Sequence, residues 1–220
     1  MTVRTFCTKW GAVVSDECLE LCSIADAYMR RSKDPLHMLE HTHSLLTNLD
    51  WLYTRRPELR ERVNHTVLLL AISWHDVWRS TKKFGSLIDI IVAFVWDGRG
   101  SSRLFQRYAR QYQLDEEVLA QVSYAIGKHD SFHLRGRKTL ESRILKDIDE
   151  MEVFDVRRFV ALKQHVMPES LGFGVHAGMR FFLRMKLRRS KNSAYFAETR
   201  EYIVAEQTRF LEYLSQTAVS

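Results

Sequence analysis

A chain of 220 residues, 45% apolar, with nine glycines and three prolines, suits one mostly helical domain and argues against disorder or an all-β fold. Lysine and arginine exceed aspartate and glutamate by 33 to 27, a formal charge of +6 that favours anionic partners in general and serves solubility first. Three cysteines, Cys7, Cys18 and Cys22, are too few for a disulfide framework and show no metal-binding CxxC spacing.

Residues 1–14 carry no strong signal and are expected to form a loosely attached arm ahead of a single domain over 15–215. Ser15, followed by Asp16 and Glu17, marks a helix start. Cys18, Leu21, Cys22, Ala25, Tyr28 and Met29 then form an apolar stripe to about Arg31, so the two cysteines read as small core side chains. Ser32–Pro35 breaks that helix and opens another, expected from Pro35 to Arg55. Leu45, Leu49 and Leu52 define its buried face, and steps of four back from Leu45 reach His41 and His37.

The stretch from Leu68 to Arg79 is the centre of the chain. Val67–Trp74 is nearly continuous in apolar residues and reads as a helix buried on most sides. It ends in the adjacent pair His75 and Asp76, whose burial costs several kcal/mol unless each finds a partner or a metal. A basic loop follows, with Lys82 and Lys83. Leu87–Trp96 is a second apolar helix, with a strand as the alternative. Asp97-Gly98-Arg99-Gly100 reads as a turn, and Ser101 as the start of a helix to about Tyr112.

Asp115 is an N-cap, and its helix carries Val118, Val122, Ala125 and Ile126 toward Lys128 and His129. A helix from Thr139 follows, striped by Leu140, Ile144, Leu145, Ile148 and Met151, which draws Asp149 inward more than Asp147. Two more helices are expected, 176–189 and 193–215. The longest apolar runs, 67–74 and 87–96, are too short to cross a membrane, and no secretory leader is evident. A cytoplasmic protein is therefore expected. The basic cluster from Arg184 to Lys191 comes without a nucleic-acid-binding motif, so nucleic acid is not an expected partner.

His41, His75, His129, Asp76 and Asp149 all lie on or at the end of apolar helical stripes. Imidazoles and carboxylates converging from separate helices suit a divalent ion such as Mn, Co, Ni, Fe, Zn or Mg. In their order and flanks these blocks resemble the HD-domain superfamily of metal-dependent phosphohydrolases. His37–His41 resembles its first-histidine segment, Leu70–Arg79 its His-Asp signature, Ala125–His129 its auxiliary histidine, and Leu145–Met151 its closing Asp-x-Asp segment. The first segment departs from the pattern at Leu36 and Met38.

The resemblance implies an all-α, compact single-domain helical bundle with the metal between central helices. It implies His41, His75, Asp76 and Asp149 as ligands, with His37, His129, His133 and Asp147 as accessory candidates. His75, Asp76, Arg79, Lys128 and His129 become the candidates for catalysis, the basic ones for meeting phosphate charge. The implied reaction is hydrolysis of a small phosphate ester, with a nucleotide favoured, by attack of a metal-bound water. Relatives often carry a glutamate shortly after the signature, but residues 77–114 contain none, so the general base is unassigned. A non-catalytic metal-binding scaffold and a diiron oxygenase are the alternatives, and self-association is left open.

Overall fold

The computed structural model describes residues 1–34, 37–82, 87–129, 136–160, 187–188 and 193–217. These are helices and connecting turns, and no strand occurs among them. They divide into two compact units, Met1–Lys146 and Asp147–Ser220, where one domain over 15–215 was expected.

The first unit opens on α1 (Val3–Trp10), capped by the Thr2 side chain, which accepts from the Thr5 amide. Phe6 is fully buried, with its ring 5.7 Å from that of Tyr53, so the expected loose arm is a helix packed on the domain. Only Val3 and Phe6 of α1 are buried, too few for a visible stripe. The next helix, α2 (Asp16–Arg30), starts where Ser15 predicted, with the Ser15 hydroxyl accepting from the Cys18 amide. Cys18 and Cys22 are core residues. A third helix, α3 (Leu39–Arg55), begins four residues later than expected and buries His41, Leu45, Leu49 and Leu52.

After the short α4 (Glu58–Arg62) comes α5 (His65–Trp74), in which every residue from Val67 onward is buried. It packs against α2, α3, α7 and α8, which explains the lack of amphipathic period in its sequence. The Asn64 side chain caps it, and the Trp74 indole donates to the Leu21 carbonyl at 3.1 Å. The helix ends at the His-Asp pair as expected: His75 closes α5, and Asp76, at φ −111° and ψ 5°, separates it from α6 (Val77–Ser80). Bulky residues on all sides of α5 are tolerated because neighbours surround it, and the break turns Asp76 among them.

The sequence reading fails at Asp97–Gly100. These residues lie inside one long helix, α7 (Leu87–Ala109), instead of in a turn. Two close approaches account for the glycines. A Cβ at Gly98 would stand 3.0 Å from the Ile126 carbonyl oxygen of α8 (Glu116–Lys128), and one at Gly100 would stand 2.4 Å from the Trp78 ring. The glycines let α7 lie against α8 and α6, and packing outweighs their poor helix propensity of about 1 kcal/mol each. Asp115 caps α8 as expected, accepting from the Glu117 and Val118 amides. The ninth helix, α9, spans Leu140–Glu150.

In the second unit, the buried Asp147 carboxylate accepts from the Tyr195 amide at 2.8 Å and the Phe196 amide at 3.0 Å, just ahead of α10 (Ala197–Thr217). Phe154 and Phe159 meet Phe210 in its aromatic core, and Tyr213 packs on Phe159. The expected helix over 176–189 falls largely outside the described residues.

Candidate metal centre

Three helix ends or breaks and the middle of one helix in the first unit bring histidine and carboxylate side chains to one buried point. His41 comes from the first turn of α3, His75 and Asp76 from the break after α5, and His129 from the end of α8. Asp97 comes from the middle of α7. All five are at most 6% exposed, so solvent does little to screen their charges.

The tautomers of two histidines follow from their carbonyl partners. A carbonyl only accepts, so Nδ1 of His75 carries the proton it donates to the Ile72 oxygen at 2.8 Å. His129 donates from Nδ1 to the Ile126 oxygen at 2.7 Å. In each neutral ring Nε2 is then a bare lone pair, the form a metal ligand needs.

The Nε2 atoms converge on the Asp76 carboxylate. Its Oδ2 lies 3.0 Å from His75, 3.3 Å from His41 and 3.6 Å from His37, all measured to Nε2. The Nε2 atoms of His41 and His75 are 3.1 Å apart. Ligand atoms about 2.0–2.1 Å from one ion, at tetrahedral to octahedral angles, stand about 2.9–3.4 Å from each other. The His41–His75–Asp76 triangle has those edges, so the side chains fit one divalent ion. The other oxygen, Oδ1, lies 3.4 Å from Nε2 of His129. Asp76, Asp97 and His129 form a second group whose ligand atoms all lie within 4.8 Å of one another.

Around this centre runs a buried ionic chain. Arg79, 4% exposed, donates from Nε and Nη2 to Asp34 Oδ2 at 3.0 Å each and reaches Asp97 Oδ2 from Nη1 at 3.4 Å. Asp34 Oδ2 also accepts from Nδ1 of His37 at 2.8 Å, which turns Nε2 of His37 toward Asp76. Ser101 joins the chain from α7: its hydroxyl donates to Asp97 Oδ1 at 3.3 Å and accepts from the Trp78 amide at 3.0 Å.

Electrostatics separate the two adjoining carboxyls. Burial alone would raise Asp76, but the surrounding imidazoles of His75, His37, His129 and His41 outweigh it and hold the group well below the usual carboxylate range. Asp97 is driven well above that range, by burial first and then by the neighbouring Asp76 charge. Burial and the Arg79 charge lower His37, which favours its neutral ring. Burial opposes the charge of Arg79, yet Asp97, Asp34 and Asp76 more than offset it and raise the guanidinium.

The site therefore joins His41, His75, Asp76 and His129 of the sequence expectation, with the accessory candidate His37 as a near neighbour. Arg79 is present but in another role, since it binds two buried carboxylates and is not an exposed cation waiting for phosphate. Lys128 is half-buried, and the exposed Lys82 sits 4.6 Å from the Trp78 ring centroid. Asp147 spends its carboxylate on the backbone amides before α10. Asp149 is half-buried in the second unit, and its part in metal binding stays a proposal. His133 and Lys83 lie outside the described residues.

Sequence reasoning missed Asp97 and Asp34. Asp97 was hidden by the turn assignment, although Asp97 and Ser101 are four apart and would share a helical face. No family model, curated protein or solved structure matches this chain.

Proposed function

We propose that this protein is a metal-dependent phosphohydrolase of the HD-domain type, acting on a small phosphate ester, with a nucleotide as the favoured substrate. The observation that carries the reading is the triangle of His41, His75 and Asp76, whose separations suit one divalent ion. The order of the motifs along the chain adds the expected chemistry.

A divalent ion in this site would lower the pKa of water and polarise a phosphoryl oxygen, allowing attack on phosphorus at neutral pH. The chain's own contribution is to prepare that site. Carbonyl-anchored imidazoles present unprotonated Nε2 atoms without further reorganisation, and Asp76 supplies the anionic oxygen beside them. Asp97, a buried acid next to Asp76, stands where the absent glutamate left the sequence without a proton-handling group.

The test is a panel of nucleotides and sugar phosphates assayed with added Mn or Co, alongside elemental analysis of the purified chain. Turnover that disappears in His75→Ala and Asp76→Ala, together with the bound metal, supports the reading. Metal-loaded protein inert across the panel would replace it with a metal-binding scaffold or regulator of the same fold.

A further inference from the structure

Between residues 96 and 110 of α7, every exposed side chain is a tryptophan or an arginine: Trp96, Arg99, Arg103, Arg107 and Arg110. Their steps of three and four residues hold them on one face of the helix. Asp97, Ser101, Phe105 and Ala109, also at steps of four, form the buried face, so the exposed row lies on the other side of α7. The turn expected at Asp97–Gly100 concealed the row, because Trp96 and Arg99 share a face with Arg103 only in a continuous helix. We propose that this face binds a single-stranded nucleic acid, with the arginines on successive phosphates and Trp96 stacking on a base at one end. The surface shares no residue with the metal centre, so each stands or falls without the other.

The positive charge is uncompensated. Among the described residues none of the four guanidiniums meets a carboxylate, and the one acid between 96 and 110, Asp97, is buried. Exposed arginines elsewhere do find such a partner: Arg157 pairs with Asp155 at 2.6 Å, and Arg209 pairs with Glu206. Arg31, the exposed C-cap of α2, widens the positive surface, since its charge and that of Arg107 both act on the Tyr28 hydroxyl. Like charges one turn apart destabilise a helix, so the row is a cost to folding that a bound polyanion relieves.

The spacing suits a linear polyanion. At about 1.5 Å per residue the row from Arg99 to Arg110 is about 16 Å long, with a guanidinium about every 5 Å. A nucleic-acid strand carries one phosphate per nucleotide along its length, and the planar guanidinium fork takes two phosphate oxygens at once. Trp96, 43% exposed, continues the row, with its ring centroid 5.6 Å from the Arg99 guanidinium. An exposed indole stacks on unpaired bases of any sequence. A lipid surface would call for apolar side chains among the cations, and Trp96 is the one large apolar side chain exposed among the described residues of α7.

Full-length protein titrated into labelled oligo-uridine RNA and oligo-thymidine DNA, read by fluorescence anisotropy at about 50–200 mM salt, tests this. Four phosphate contacts give an expected slope of log affinity on log salt of about −2.8, a loss of about 50-fold over that range. Arg99→Gln, Arg103→Gln and Arg107→Gln combined should reduce the slope by about 2. Trp96→Ala should weaken binding about fivefold or more, and Trp96→Phe should restore most of it. Arg4→Gln, Arg60→Gln and Arg62→Gln combined remove equal charge from exposed positions elsewhere and should leave the slope nearly unchanged. Binding of either strand with these responses supports the site, and the tighter strand names the sugar. An equal change in both triple variants, a wild-type slope near zero, or no binding of either strand overturns it. So does tighter binding to duplex DNA, to polyglutamate, or to vesicles of phosphatidylserine and phosphatidylcholine. The wild-type slope and the two Trp96 variants decide the matter should a triple variant fail to fold.

Discussion

The Nε2 atoms of His41 and His75 stand 3.1 Å apart although the residues are separated by 34 positions in the chain. The His75 atom carries no proton in the neutral ring, because Nδ1 has donated its own to Ile72. The lone pair of His75 faces His41, and a proton or a cation between the two rings would satisfy it. With the Asp76 carboxylate alongside at 3.0 and 3.3 Å, a divalent ion satisfies all three groups together.

Metal binding should therefore appear as stability. Saturating Mn, Co or Zn at about 100 times its dissociation constant should stabilise the protein by about 2.7 kcal/mol and raise its melting temperature, and chelation should reverse the gain. In His41→Ala or His75→Ala the metal-dependent rise should vanish in thermal scans with and without added ion. A rise of unchanged size in both variants would show that the ion binds elsewhere.

Arg79 is expected to be structural before it is catalytic. Its guanidinium is what two buried carboxylates share, so Arg79→Met leaves Asp34 and Asp97 uncompensated, at a cost of about 3–5 kcal/mol by denaturant unfolding. The triple variant Arg79→Met with Asp34→Asn and Asp97→Asn should recover much of that loss, because it removes the stranded charges too. A loss below about 1 kcal/mol in the single variant would mean that the buried ion pairs are not what holds α6 and α7 in place.

Gly100 gives a test of sign. On helix propensity alone Gly100→Ala should stabilise α7 by about 1 kcal/mol. The added Cβ would meet the Trp78 ring at 2.4 Å, so the expected outcome is instead a destabilisation of about 1–3 kcal/mol. Replacing Trp78 by Leu in the same chain should shrink the penalty, read as the coupling energy of a double-mutant cycle.

His65 contributes a pH dependence away from the metal centre. Burial, then the charge of Arg60, lowers its pKa below the ordinary value of 6.5. As the first residue of α5 it also sits at the positive end of a helix dipole, which disfavours the imidazolium. With the folded pKa below the unfolded one, the contribution is fully present above about pH 6.5 and is lost as pH falls through the folded value. His65→Gln should flatten this acid-side decline in unfolding measurements from pH 5 to pH 8. An unchanged slope would assign the decline to other groups.

Much of the helical frame was legible locally. Ser15, Asp115 and Thr139 announce helix starts that the structure confirms by hydrogen bonds from amides three residues on, or two and three in the case of Asp115. The apolar run before His75 announces a buried helix, because residues apolar on every side need neighbours on every side. The histidine stripe of α3 places His41 inward. These signals work because capping and amphipathic spacing involve atoms within one or two turns of each other.

Long-range packing decided the rest. Whether Asp97–Gly100 turns or continues as helix depends on the Ile126 carbonyl and the Trp78 ring, neither of which is near in sequence. That choice places Asp97 beside Asp76 and gives Arg79 its second carboxylate. Likewise, α1 joins the core where Phe6 meets Tyr53, 47 residues on in the chain. Residue types and short spacings determined which side chains were available for a metal. The three-dimensional contacts of α7 with α6 and α8 decided which carboxylates stand next to it, because a charge acts through space and not along the chain.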